Sequence, residues 1–221
     1  MSELIVDKPA AEQPTVAVMN QVPQSGPRAE SPLHHADLPT IARKGPQQGG
    51  VYLEELKLLG HLVLRGSTDN QAFMAGAEKV LGVALPGSLQ SAEKGELSVR
   101  WLAPDEWLVI VPGARAFDLE RELRAAMSGH YAIVNVSGGQ TVLSLSGPKA
   151  RDVLMKTTPY DVHDRNFPVG KVVTSVFAKT QAVIRRTGEQ SWELVIRRSF
   201  ADYAWLWLQD ASAEYGLVVR S

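Results

Sequence analysis

Few residues in this sequence have the types and spacing to do chemistry. The densest polar cluster is Asp161-x-His163-Asp164, two carboxylates around an imidazole, a set able to move protons. It falls in a segment, Tyr160 to Val169, with no helix or strand period. Loops are commonly polar, so composition alone does not make the cluster catalytic. Asp105-Glu106 is a carboxylate pair, but Ala103-Pro104-Asp105-Glu106 is equally a tight turn, with Pro104 presetting φ and Asp105 suited to the next position. Ser137-Gly138-Gly139 offers amides to a phosphate, yet a bulge or turn between two strands explains it without a ligand. His34-His35 reads as a solvated pair, and the 5 histidines are too scattered for a metal site. Asn135-Val136-Ser137 matches a glycosylation sequon by letters, but the N-terminal residues lack the pattern of a secretion signal. No nucleophile elbow, phosphate-binding loop or dinucleotide fingerprint is present. No catalytic, cofactor-binding or metal-ligating residue is assigned.

The composition narrows the classes further. With 221 residues and a net charge of −1, the chain has no electrostatic footprint for nucleic acid or an anionic membrane. The absence of cysteine excludes disulfides, zinc–thiolate sites and a thiol nucleophile, and it suits a reducing cytoplasm, the expected location. No apolar run approaches the ~20 residues of a membrane span.

The elements that must position any site are clearer. Leu97 to Pro112 reads as two strands around the Pro104 turn, because apolar residues recur with period two. The second arm, Trp107 to Val111, is apolar on both faces and is expected to be a central, covered strand. Before it come a strand at His61–Gly66 and a helix with Phe73, Ala77, Val80 and Leu81 on one face. After it come a helix with Ala116, Leu119, Leu123 and Met127, and a strand at 131–136. The series then repeats: a strand at 141–146, a helix opened by Gly147-Pro148, strands at 172–178, 181–187 and 192–196, a helix starting at Ser199, and a last strand at 217–219. Leu62 to Gly66 aligns with Leu143 to Gly147 at an offset of 81, the Trp107 and Trp192 segments at 85 or 86, and Gly129 with Gly216 at 87. The expected fold is α+β, tandem ferredoxin-like βαββαβ halves.

Two regions are candidates for contact with other chains. Residues 1–50 hold seven of the 13 prolines and no aromatic residue, a composition that fits a disordered leader or an extended arm lying along a partner chain; the arm is the expectation, with 51–221 as the duplicated domain. Leu4, Ile5 and Val6, then Val16, Val18 and Met19, are its apolar anchors. In the last helix the stripe Phe200, Ala204, Trp207, Leu208 and Ala211 is expected to be buried. That leaves Trp205 and Leu206 off the core, as subunit contacts or as a surface covered by the arm or a loop.

Three runs carry a family resemblance: S-V-R-W-L-A-P-D-E-W-L-V from Ser98, V-N-V-S-G-G-Q-T-V-L-S-L-S-G-P-K-A-R-D-V-L from Val134, and S-W-E-L-V-I-R-R-S-F-A-D-Y-A-W-L-W-L from Ser191. Together they resemble the gamma subunit of bacterial heterotetrameric sarcosine oxidase. That family is similar in turn to the folate-binding core of the aminomethyltransferase (glycine-cleavage T-protein) superfamily, without its C-terminal barrel. The resemblance implies a complex converting sarcosine, oxygen and tetrahydrofolate to glycine, hydrogen peroxide and 5,10-methylenetetrahydrofolate. It also implies that FAD, FMN, NAD and tetrahydrofolate are held by other subunits. This chain would be an accessory, noncatalytic subunit packed on alpha, with beta and delta in the same assembly. The alternative is a stand-alone folate-binding one-carbon enzyme or regulator, with a cavity between the halves and Asp161 or Asp164 as its carboxylate. RNA binding on the sheets is disfavoured by the charge.

Overall fold

The hairpin expected over Leu97 to Pro112 forms, and it lies in the middle of the first of two sheets. The computed structural model describes residues 29–221. The first half comprises α1 (Leu38–Lys44), β1 (Val51–Leu56), β2 (Leu59–Gly66), α2 (Gln71–Leu81), β3 (Ser91–Lys94), β4 (Leu97–Ala103), β5 (Glu106–Pro112), α3 (Ala116–Ala126) and β6 (Tyr131–Asn135). The second comprises β7 (Gln140–Ser146), α4 (Ala150–Thr157), β8 (Val172–Phe177), β9 (Thr180–Gly188), β10 (Ser191–Arg197), α5 (Ala201–Ser212) and β11 (Leu217–Arg220).

The strand order is β3-β4-β5-β2-β6 in one sheet and β11-β1-β7-β10-β9-β8 in the other. With β1 set aside the two orders coincide, each strand of the first sheet having a counterpart at the same place in the second. Each half is therefore a ferredoxin-like unit with one extra edge strand, β3 or β8. The strand that breaks the symmetry is β1, which the sequence reading did not foresee. It enters the second sheet between β7 and β11, antiparallel to the first (Leu53 opposite Leu145) and parallel to the other (Leu53 opposite Val219). The joint leaves no room for side chains: a Cβ on Gly49 would stand 2.3 Å from the Gly216 carbonyl oxygen. Gly147, at φ +114, packs as tightly under Gly50.

The molecule has four layers: helices, sheet, sheet, helices. Along β5, Trp107, Val109 and Val111 pack under α2 and α3 with Phe73, Leu119 and Leu123. Leu108 and Ile110 point the other way and meet Val142 and Val195 of the second sheet. This explains a strand apolar on both faces. On the far side of the second sheet, Leu143, Leu145, Leu194 and Ile196 pack with α4 and α5. Helix ends follow their sequence signals. The Asn70 side chain accepts from the Phe73 amide, and Gly82 ends α2 in the left-handed region.

Two expectations are corrected. The extended arm does not reach residue 50. His34–Ala36 is a 3-10 turn, Leu38–Lys44 is a helix, and Leu33 and Leu38 are buried in the second half's core. Two leucines placed beside the β1 edge have core to bury against, and Pro39 is tolerated in the first helical turn, where its missing N–H costs nothing. The anchors Leu4, Ile5, Val6, Val16, Val18 and Met19 lie outside the described residues. The phase of the last helix also differs. It begins at Ala201 after a 3-10 turn, with no side-chain cap from Ser199, and buries Ala201, Ala204, Trp205, Leu208, Ala211 and Ser212.

Candidate functional site

The polar residues that the fold brings together are not those the sequence singled out. On β4, Ser98, Arg100 and Leu102 share a face that reads from sequence as solvated. The second sheet covers it, and Arg100 is only 2% exposed. Its guanidinium donates to Glu193 of β10, while its Nε and Nη1 atoms have no partner among the described residues. Arg185 of β9 donates to Glu93 of β3, lies 3.6 Å from the Glu193 carboxylate, and donates through Nε to the Ser91 hydroxyl at 2.9 Å. Burial pulls the Arg100 guanidinium down to about 10 against the opposing pull of Glu193, so it stays charged at neutral pH.

His61 of β2 points into the same layer. It is 1% exposed, and neither ring nitrogen has a partner among the described residues. Desolvation, with a smaller contribution from Arg100, lowers it to about 4. At neutral pH it is an uncharged imidazole that can accept a proton only at a cost. Beside the ion pairs, Leu56, Leu59, Ile110 and Val142 line a cavity of about 210 Å³ together with Arg100 and Glu193. Typical small-molecule sites are larger, ~300–1,000 Å³. The charges here are spent on one another across the sheet interface, an arrangement that fixes the register of the two halves.

A second buried carboxylate has the same character. Glu55 continues the inward face of β1 after Val51 and Leu53 and is 3% exposed. It accepts from the Ser31 hydroxyl (2.6 Å), the Leu33 amide (3.2 Å) and the Thr141 hydroxyl (2.9 Å). It thereby fastens the segment before α1 to β1 and β7.

The residues chosen from sequence separate. Asp161 accepts from the His163 amide, and the His163 ring accepts from the Arg165 amide, so both build the loop's own turns. Asp164 is clamped by Arg151 and by Arg186 at 2.6 Å. Partial burial alone would raise this carboxyl, but the two guanidiniums outweigh it and hold it below the ordinary range. Asp105 pairs with Arg65 at the hairpin tip, 3.1 Å away. Ser137–Gly139 is a 3-10 turn, and the Ser137 hydroxyl accepts from the His61 amide. His35 meets Asp202 at 2.8 Å on the surface. The helix-phase difference decides the two α5 candidates. Trp205 is 4% exposed and belongs to the core, so its assignment as a contact residue is corrected, whereas Leu206 is 54% exposed. At 100° per residue, the four buried alanine and leucine positions leave residue 205 about 40° beyond the edge of their arc, where its large ring still reaches the core, and place residue 206 opposite it.

Comparison with known proteins bears on this geometry. A family model described as "Sarcosine oxidase, gamma subunit family" matches residues 65–214. The gamma subunit of sarcosine oxidase from Corynebacterium sp. (strain P-1) is 36% identical over 189 residues, 84% of this chain and 90% of that protein. A chain of the heterotetrameric sarcosine oxidase from Corynebacterium sp. U-96, solved with pyrrole 2-carboxylate, superposes with a TM-score of 0.76 at 31% identity, covering 84% of this chain and 95% of that one. The glycine cleavage aminomethyltransferase T from Bartonella henselae superposes with a TM-score of 0.63 at 17% identity, over 86% of this chain and 58% of that one, a likeness of fold alone.

Proposed function

The chain belongs to the sarcosine oxidase gamma-subunit family, and we propose that it works as the accessory subunit of a heterotetrameric sarcosine oxidase. The assembly would oxidise sarcosine with oxygen to glycine and hydrogen peroxide, and yield 5,10-methylenetetrahydrofolate from tetrahydrofolate. In this reading the chain packs directly on the alpha subunit, with beta and delta in the same assembly. FAD, FMN, NAD and tetrahydrofolate are held by the other chains, and the complex works in the cytoplasm. Among the described residues no helix is long and apolar enough to cross a membrane.

One observation carries the noncatalytic part of the proposal: the two buried arginines between the sheets, Arg100 and Arg185, are each engaged by a carboxylate of the chain itself. Arg100, Glu193, Arg185 and Glu93 form a chain of contacts with about 210 Å³ of space beside it. Asp161 and Asp164, the carboxylates a one-carbon transferase reading would use, are engaged in turn and clamp contacts. A stand-alone folate enzyme needs a larger cavity with a carboxylate free to face the pterin.

The test is expression of the chain alone and with the genes beside its own. Alone it is expected to fold and to give no heat on titration with tetrahydrofolate. Together it is expected to purify with flavin-bearing chains in equal amount. Micromolar tetrahydrofolate binding by a stable monomer, with no association, would establish the folate-enzyme reading instead.

A further inference from the structure

The second sheet extends past the first at one end, and the bare ledge carries two exposed apolar side chains and two cations without an acidic partner among the described residues. Register fixes the geometry. Thr174 of β8 stands opposite Val183, and Val183 opposite Val195 of β10, so these share the face that meets the first sheet. The next row on that face is Val176, Gln181 and Arg197, and all three are exposed. Phe200, in the 3-10 turn that follows β10, stands beside the row. Val176 is 45% exposed and Phe200 40%. Together with Lys179 and Thr180 these residues line a shallow groove of about 480 Å³. The outer edge of β8 is engaged at its two ends, where the Val172 amide donates to the Leu89 carbonyl at 3.0 Å and the Ala178 amide to the Thr157 carbonyl at 2.7 Å, and among the described residues only the backbone of Thr174 and Val176 between them is left without a partner.

Charge sets this groove apart from the buried interface. Arg100, Arg185 and Arg186 each hold a carboxylate. Lys179 and Arg197, with Arg198 next in sequence, hold none among the described residues, and no acidic side chain lines the groove. Exposed aromatic and arginine side chains around an apolar centre are the composition of protein interfaces.

We infer that this ledge receives an extended, acidic segment of another subunit of the oxidase, an inference that rests on the subunit reading above. The segment crosses the groove, sets an apolar side chain between Val176 and Phe200, and places its carboxylates against Lys179 and Arg197. The complementarity of sign selects this partner over an apolar or basic one.

The test uses the tagged full chain co-expressed with its neighbouring genes. Two ledge variants are compared with wild type: Lys179→Glu/Arg197→Glu, and Phe200→Ser. Lys79→Glu/Arg121→Glu, on exposed positions of α2 and α3 across the molecule, is the control. The ledge variants should keep the wild-type circular dichroism and melting temperature but retain about tenfold less of the partner chains. The control should retain as much as wild type, and raising the salt should weaken wild type more than the charge-reversed variant. If wild type retains its partners and the ledge variants retain them equally, the inference fails while the subunit reading stands. If wild type retains none, the subunit reading fails and takes the inference with it. If the ledge variants instead convert a dimer of this chain to a monomer, a second copy is the occupant and the inference is overturned.

Discussion

The two halves share a strand plan but are finished differently. Trp107 and Trp192 occupy the same place, near the start of corresponding inner strands, β5 and β10, and both are buried. The Trp107 indole donates to the Pro86 carbonyl at 2.9 Å, whereas the Trp192 indole nitrogen has no partner among the described residues and its ring faces the Arg186 guanidinium at 5.4 Å. The first sheet closes with β6 directly on β2, leaving Val134 of that edge 51% exposed. The second takes in β1 from the chain's beginning and covers its β11 side with α1. Duplication thus supplied the plan, and the segment before β1 completes the second half. The polar residues between the halves lock the two copies together.

The largest way to break this comparison is at the fastening of that segment. Glu55→Ala strands three buried donors and is expected to cost about 4 kcal/mol in urea unfolding. A loss under ~1 kcal/mol would mean that residues 31–44 are not part of the second half's fold. The next effect is on pH. The folded His61 titrates near 4, below its ordinary 6.5, because desolvation and then Arg100 oppose its charge. Between those values the unfolded chain binds a proton that the native one does not, so stability falls as pH drops, by about 3 kcal/mol across the window. His61→Leu should flatten that part of the stability–pH curve; an unchanged slope would place the titration elsewhere. Smaller still is the contrast of the two tryptophans. Trp107→Phe leaves the Pro86 carbonyl unpaired and should cost about 1 kcal/mol more than Trp192→Phe, which removes an already unpaired N–H. Equal losses in thermal unfolding would show that the two sites are equivalent. The smallest expected effect is on turnover. Asp161→Asn and Asp164→Asn, assayed in the assembled oxidase, should leave sarcosine oxidation within about twofold of wild type.

The legible parts of the fold were those with local periods. The β4–β5 hairpin alternates cleanly, and α2 and α3 carry wide apolar stripes between an Asn cap or glycine stops. β1 was not legible, because Glu54 and Glu55 interrupt its apolar residues and its partners lie far along the chain. β3, Ser91–Lys94, is a polar edge strand with no signal of its own. In α5 the small alanines, rather than the aromatics, set the buried face, so Phe200 and Trp205 exchanged their expected places. The interior polar cluster was hidden for a different reason. Ser98 and Arg100 on alternate positions of a strand mean water outside unless a second sheet is known to lie there. Glu55 had one sequence signal, its place in the Val51, Leu53, Glu55 alternation.

The most direct measurement is production of the oxidase with this chain's gene omitted, followed by assay of peroxide formed from sarcosine per bound flavin and of the half-life of that activity. With an accessory role for this chain, the remaining chains are expected to turn over at the normal rate per flavin but to decay faster and assemble in lower yield. An intact, stable assembly that no longer oxidises sarcosine would contradict it, because this chain would then supply a group that the reaction needs.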